Sequence, residues 1–221
     1  MLRKIFIGYD EKESVAWHTM VSSIYRHSSV PIAIIPVYLK NFRGIYDRKQ
    51  NENQSNEFSF SRFLVPHLSE YQGYAAYFDC DMLMREDINN LFEIAEKNPK
   101  KAVHVVKHDY TPSSSHKYLG NVQHAYPKKN WSSVILWNCS HQKNKVVTPK
   151  FVNTEEPKTL HRFEWLNEND IGELDRKWNW LVGEYPSPPE DVSNIHWTIG
   201  GPYFNEYKSV DCAEEWREEL S

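Results

Sequence analysis

Three things are scarce in this sequence: cysteine, surplus positive charge, and any long apolar run. Cysteine occurs only at 80, 139 and 212, an odd number with no C-x-x-C spacing. That excludes a disulfide framework and a zinc knuckle, and it points to free thiols in a reducing compartment. The formal net charge is -4, and the densest basic cluster, residues 97–101, is interrupted by Asn98 and Pro99. A nucleic-acid binder needs a basic footprint to neutralise phosphates, so no nucleic-acid partner is expected. No apolar stretch approaches the roughly 18 residues that span a bilayer. Ile5 to Ile7, ended by Gly8 and Asp10, is too short for the apolar stretch of a secretion signal. The expectation is a cytoplasmic protein with no transmembrane segment.

What is present is a globular composition, 40% hydrophobic and 25% charged, which supports a core under a solvated surface. With 221 residues, no internal repeat and no linker, one domain spanning 1–221 is expected. Apolar runs of strand length fall at 4–7, 32–39, 74–78, 102–106 and 133–137. Between them lie segments of helical period at 13–27 and 60–71, and one from the N-cap Asp87 to the stop at Asn98-Pro99. Residues 43–56 carry no periodicity and read as a surface loop. Further helices are expected over 159–166 and 214–220. Strands alternating with helices predict an α/β fold whose sheet is mostly parallel.

The strongest chemical signal is Asp79-Cys80-Asp81, directly after the apolar run Tyr74 to Phe78. Two carboxylates one residue apart at a strand end can face a shared ion, and their hard oxygens suit Mn²⁺ or Mg²⁺. Ligands of open α/β sheets bind beyond the carboxyl ends of the strands, where this pair falls. As a bare string D-x-D is common; its placement between an apolar strand and a capped helix makes it a metal-site candidate.

The surrounding residues resemble the family 8 glycosyltransferases, the glycogenin and lipooligosaccharide galactosyltransferase group. The resemblance rests on Tyr77-Phe78-Asp79-Cys80-Asp81-Met82-Leu83 with Asp87-Ile88 and Leu91-Phe92. It extends in order to Ile5-Phe6-Ile7-Gly8-Tyr9-Asp10, to Phe60-Ser61-Arg62-Phe63-Leu64, and to Ile195-His196-Trp197 with Gly200-Gly201-Pro202-Tyr203. It implies a GT-A fold, a nucleotide-sugar donor (a UDP-sugar), a glycan or other hydroxyl acceptor, and transfer with retention. It also implies a nucleotide-binding part over about 1–110 and a sugar and acceptor part over about 111–221. On this resemblance His196 joins Asp79 and Asp81 as the third metal ligand, Tyr9 stacks on the base, and Asp10 accepts its N–H. Arg62 and Asp79 reach the donor, and Gly200 and Gly201 admit the diphosphate. Ordinary alternatives stand beside these roles: a packed histidine, a solvated helix-face arginine, a strand-end turn, a simple Gly-Gly turn.

The sequence also departs from the family pattern. Gly201 stands where a lysine usually precedes the Pro-aromatic pair. Trp131-Ser132-Ser133 replaces an Asn-Ala-Gly start, and the Asp-Gln pair expected near the anomeric carbon is replaced within His161-Arg162-Phe163-Glu164. Asp109, Arg162 and Glu164 are therefore the candidate catalytic or sugar-contacting residues; a surface salt bridge is the ordinary role for each carboxylate. Two other functions fit a D-x-D. A phosphatase of the haloacid dehalogenase type also carries one, although usually on its first strand and with Thr or Val where Leu83 stands. A non-catalytic module that binds nucleotide-sugar or glycan could keep the metal site without turnover.

Overall fold

The computed structural model describes residues 2–49, 56–113, 116, 120 and 127–221. The first apolar run forms β1 (Arg3–Gly8), which pairs in parallel with β2 (Ile32–Val37) on one side and β3 (Tyr74–Phe78) on the other. Helix α1 (Ser14–His27) makes the crossover, burying Ala16, Met20, Ser23 and Ile24 at near-helical spacing. Three more strands, β5 (Val103–Val106), β6 (Val134–Asn138) and β7 (Ile171–Leu174), complete a six-stranded sheet of order β2-β1-β3-β6-β5-β7. Three of its five pairings are parallel; the two made by β6 are antiparallel. The sheet is therefore mixed and mostly parallel. The direction of β6 was not legible because all five of its residues are buried, and a strand covered on both faces reads the same either way.

A second sheet of order β4-β9-β8 is built from β4 (Met82–Met84), β8 (Trp180–Leu181) and β9 (Asn194–His196). These strands are two or three residues long, too short for any periodic signal. They enclose a satellite core of Leu83, Val182, Val192, Ile195, Trp197 and Trp216 beside the main one. Helix α3 (Ile88–Lys97) begins where expected, with Asp87 Oδ1 accepting the Asn89 N–H at 3.0 Å. Helix α6 (Ala213–Leu220) closes the chain.

Two helices are shorter than the sequence suggested. Instead of one helix over 60–71 there is a 3₁₀ turn, Ser61–Leu64, and then α2 (Val65–Leu68). Pro66 has no N–H to continue the ladder from the preceding turn, and Glu70 and Tyr71 adopt left-handed backbone at φ 56° and 54°. After α4 (Pro149–Thr154), α5 (Pro157–His161) stops short of 166, and Phe163 turns left-handed at φ 55°. That turn puts the fully buried Phe163 ring against Phe63 and Trp137. Residues 50–55 of the expected surface loop lie outside the described residues. Among the described residues no helix is long and apolar enough to cross a membrane. All three cysteines are free thiols.

Candidate functional site

Asp79-Cys80-Asp81 is the junction between the two sheets, following the last residue of β3 and preceding the first of β4. The backbone is held there from both sides: Asp79 N–H donates to Ser133 O at 3.0 Å, and Trp197 N–H donates to Asp81 O at 3.0 Å. Because β9 runs antiparallel to β4 with Met82 opposite His196, the histidine arrives beside the second aspartate. One ligand atom each from Asp79, Asp81 and His196 lie within 4.8 Å of one another. All three residues are buried, and His196 Nε2 is 3.4 Å from Asp81 Oδ1. Two hard carboxylate oxygens and an imidazole nitrogen make a donor set that fits Mn²⁺ or Mg²⁺.

The electrostatics agree with that fit. Burial raises the Asp79 pKa; the Arg62 guanidinium opposes the shift, and the neighbouring Asp81 adds to it. Burial, with the carboxylates of Glu13, Asp81 and Asp79 around it, holds the Cys80 thiol protonated. A dication between the carboxylates would add opposite charge to that of Arg62 in this dry corner.

His196 is oriented by a residue that no motif flagged. Its Nδ1 lies 2.8 Å from Asn179 Oδ1. The Asn179 amide nitrogen donates to Ser133 Oγ at 2.8 Å and faces His108 Nε2 at 2.9 Å. Ser133 Oγ in turn donates to Asn130 O at 2.7 Å. This pattern assigns the carbonyl end of Asn179 to His196, so Nδ1 is the donor in that bond and Nε2 is the nitrogen that faces Asp81. Beyond Asn179, His108 Nδ1 meets the Tyr185 hydroxyl at 2.7 Å. Burial drives the His108 pKa down to about 3, so this ring is neutral.

The other candidates are placed as follows. Arg62 is buried against Asp79, with Nη1 2.9 Å from Oδ1, and it also donates to Ser132 O at 2.8 Å. Tyr77 Oη donates to the same Asp79 oxygen at 2.8 Å. Tyr9 is half-buried at the end of β1, edge-on to Trp17 and Tyr38. Both Asp10 oxygens already accept backbone N–H groups, from Lys12 at 3.0 Å and Glu57 at 3.2 Å. Gly200 and Gly201 have a packing reason to be glycine: a Cβ would overlap the ring of Tyr207 at the first and of Tyr203 at the second. Tyr203 is anchored through its hydroxyl to the buried Glu13 at 2.6 Å. Asp109 is exposed beyond the end of β5, where it lines a cavity with its neighbour His108. Arg162 is half-buried, and its carbonyl accepts from Lys128 Nζ at 3.1 Å. Glu164 is exposed and accepts from Thr159 Oγ1 at 3.1 Å, a local surface contact.

Comparison with known proteins gives two kinds of likeness. The chain is 43% identical over 223 residues to Protein CDI of Arabidopsis thaliana, covering 98% of this chain and 85% of that protein. No protein-family model matches. Among solved structures it is similar to the WbbM bifunctional glycosyltransferase, with a TM-score of 0.69, 14% identity, and coverage of 100% of this chain but 50% of that one. It is similar to the glycosyltransferase GlyE of Streptococcus pneumoniae at TM-score 0.65 and 16% identity, covering 100% of this chain and 60% of GlyE. It is similar to the galactosyltransferase LgtC, solved with donor and acceptor sugar analogues, at TM-score 0.61 and 11% identity, covering 98% and 95%. The chain thus spans half of WbbM and three-fifths of GlyE, but nearly all of LgtC. At such identities the likeness establishes the architecture, which is the GT-A fold.

Proposed function

The chain belongs to the family of Arabidopsis thaliana Protein CDI and has the GT-A fold, and from the geometry around Asp79 we propose that it is a metal-dependent glycosyltransferase. The donor is a nucleotide-sugar, a UDP-sugar on the resemblance to family 8, and the acceptor is a hydroxyl of a glycan or glycoconjugate. Retention of anomeric configuration belongs to the same resemblance. The single observation that carries the proposal is the convergence of Asp79, Asp81 and His196 within 4.8 Å at the carboxyl end of β3, where open α/β sheets bind ligands.

Asp79, Asp81 and His196 would hold Mn²⁺ or Mg²⁺. When bound, the cation neutralises charge on the departing diphosphate, which matters more in the transition state than in the ground state. The protein's own residues do the rest. Arg62 and Tyr77 fix the Asp79 carboxylate, so it meets the cation without reorganising. Asn179 fixes the His196 tautomer. The β1 end, with Tyr9 and Asp10, receives the nucleotide. In the transfer, the anomeric carbon–oxygen bond to the diphosphate breaks and its electron pair leaves with the phosphate. A bond to the acceptor oxygen forms, and the hydroxyl proton is released. The division into a nucleotide part over about 1–110 and a sugar and acceptor part over about 111–221 follows the same reading.

The test is calorimetric titration of UDP with and without Mn²⁺, followed by UDP release from a panel of UDP-sugars. Asp79→Asn and Asp81→Asn should each abolish Mn²⁺-dependent UDP binding while the protein stays folded. Wild-type affinity in either variant sinks the proposal. Binding with no release in the presence of acceptors identifies a non-catalytic nucleotide-sugar module. Phosphate release from phosphomonoesters identifies a phosphatase.

A further inference from the structure

Beyond the carboxyl ends of β5 and β7 lies a cavity of about 500 Å³, within the size range of small-molecule sites. Its position relative to the metal group follows from the sheet order β2-β1-β3-β6-β5-β7. With strands roughly 4.8 Å apart, β5 lies about 10 Å from β3, on the side away from β1 and β2. The nucleotide end and the cavity therefore flank Asp79 from opposite sides. A physical connection joins them, because the cavity wall includes His108, and His108 reaches the metal-facing His196 through Asn179.

The chemistry of the wall selects a class of ligand. Trp180 and Tyr185 supply an aromatic corner, their rings edge-on at 5.4 Å. Around it the lining carries four anionic side chains, Asp109 and Asp191 among them, and three cationic ones, including Lys107 and Arg176. A phosphate ligand would require cations without interleaved carboxylates, and a cationic ligand the reverse. Hydroxyl groups donate and accept alike, so a mixed rim with nearly cancelling charge suits a neutral polyol. His108, neutral at physiological pH, presents no charge to disturb it. The lining Trp180 is fastened by Nε1, which donates to Pro186 O at 3.1 Å, and the segment just before Tyr185 is held by Ser113, whose N–H donates to Glu184 at 2.7 Å and whose hydroxyl donates to Gly183 O at 3.0 Å. We infer that this cavity binds a neutral oligosaccharide, which is the hydroxyl acceptor of the proposed transfer. Its role as acceptor rests on the proposed function; its binding of a sugar does not.

Saturation-transfer NMR with lactose, maltose, cellobiose and xylobiose tests the site on the full chain, with Mn²⁺–UDP titration run in parallel. The expected result is binding of at least one disaccharide, weakened tenfold or more by Trp180→Ala and by Asp191→Ala, with Mn²⁺–UDP affinity unchanged. Asp191 is exposed, so its replacement spares the fold, and a matching thermal melt verifies that for Trp180→Ala. Absence of binding by all four sugars overturns the inference, as does binding indifferent to both substitutions. Equal loss of Mn²⁺–UDP affinity in the two variants also overturns it, by assigning the cavity to the donor. If the wild-type protein binds a disaccharide at this cavity but no Mn²⁺–UDP, the sugar site stands and the donor reading falls.

Discussion

His196 Nδ1 and Asn179 Oδ1 are 2.8 Å apart, and Asn179 is fully buried with its amide nitrogen committed to Ser133 and His108. A neutral imidazole offers one lone pair, and the partner of the other nitrogen decides which way it points. Asn179→Ala should therefore weaken Mn²⁺ binding by roughly 10- to 100-fold, the usual cost of losing such an outer partner. Mn²⁺ electron paramagnetic resonance titration measures it. Unchanged Mn²⁺ affinity in a folded Asn179→Ala variant would show that the amide serves packing alone.

The Arg62–Asp79 pair is buried on both sides. Arg62→Leu leaves the Asp79 charge without its guanidinium, which costs about 3 kcal/mol or more in such settings. A bound dication compensates the same charge. Saturating Mn²⁺ should therefore raise the thermal midpoint of Arg62→Leu by more than that of the wild type. Equal shifts in both would show that the ion does not meet Asp79.

How much of this was legible in the sequence depends on scale. Strands β1, β3 and β5 announced themselves as apolar runs, and Asp87 marked the start of α3, because both signals are local. Local too was the D-x-D at the end of β3. The partnership of Asp81 with His196 is a pairing across 115 positions, fixed by the β4–β9 register, and only family resemblance suggested it. Asn179 and His108 were not legible at all. Asn179 sits in Lys177-Trp178-Asn179-Trp180 with no surrounding motif, and its role comes from where the short strands β8 and β9 carry it. The helix expected over 60–71 failed because its periodicity is real while Pro66 removes a rung. In the structure Arg62, on that segment, turns inward to Asp79, which hydrophobic spacing cannot reveal.

Gly200→Ala and Gly201→Ala should each destabilise the fold, by about 1–3 kcal/mol as typical overpacking does, because each new methyl overlaps a tyrosine ring. At Gly201 the displaced ring belongs to Tyr203, whose hydroxyl holds Glu13. Chemical denaturation gives the stability change, and Mn²⁺–UDP titration of the folded fraction gives the binding change. Loss of UDP affinity at full stability would instead place these glycines against the diphosphate.

His104, on β5, is buried, and among the described residues neither ring nitrogen has a hydrogen-bond partner. Burial lowers its pKa from 6.5 to about 4, with Lys101 adding to the shift. Between those values the unfolded chain takes up a proton that the folded chain refuses. Stability should therefore fall as pH drops from about 6.5 toward 4, and be independent of this group above that window. His108 and His161, lowered to about 3 by burial, act with the same sign, so the acid loss is shared. His104→Leu removes two unsatisfied polar atoms at similar volume, and should stabilise the protein by about 1 kcal/mol at pH 7.5. It should also flatten part of the decline between pH 6.5 and 4. Urea midpoints at pH 7.5 and pH 5 measure both effects. A variant no more stable than the wild type at pH 7.5, with an unaltered slope, would mean that the imidazole is satisfied in solution.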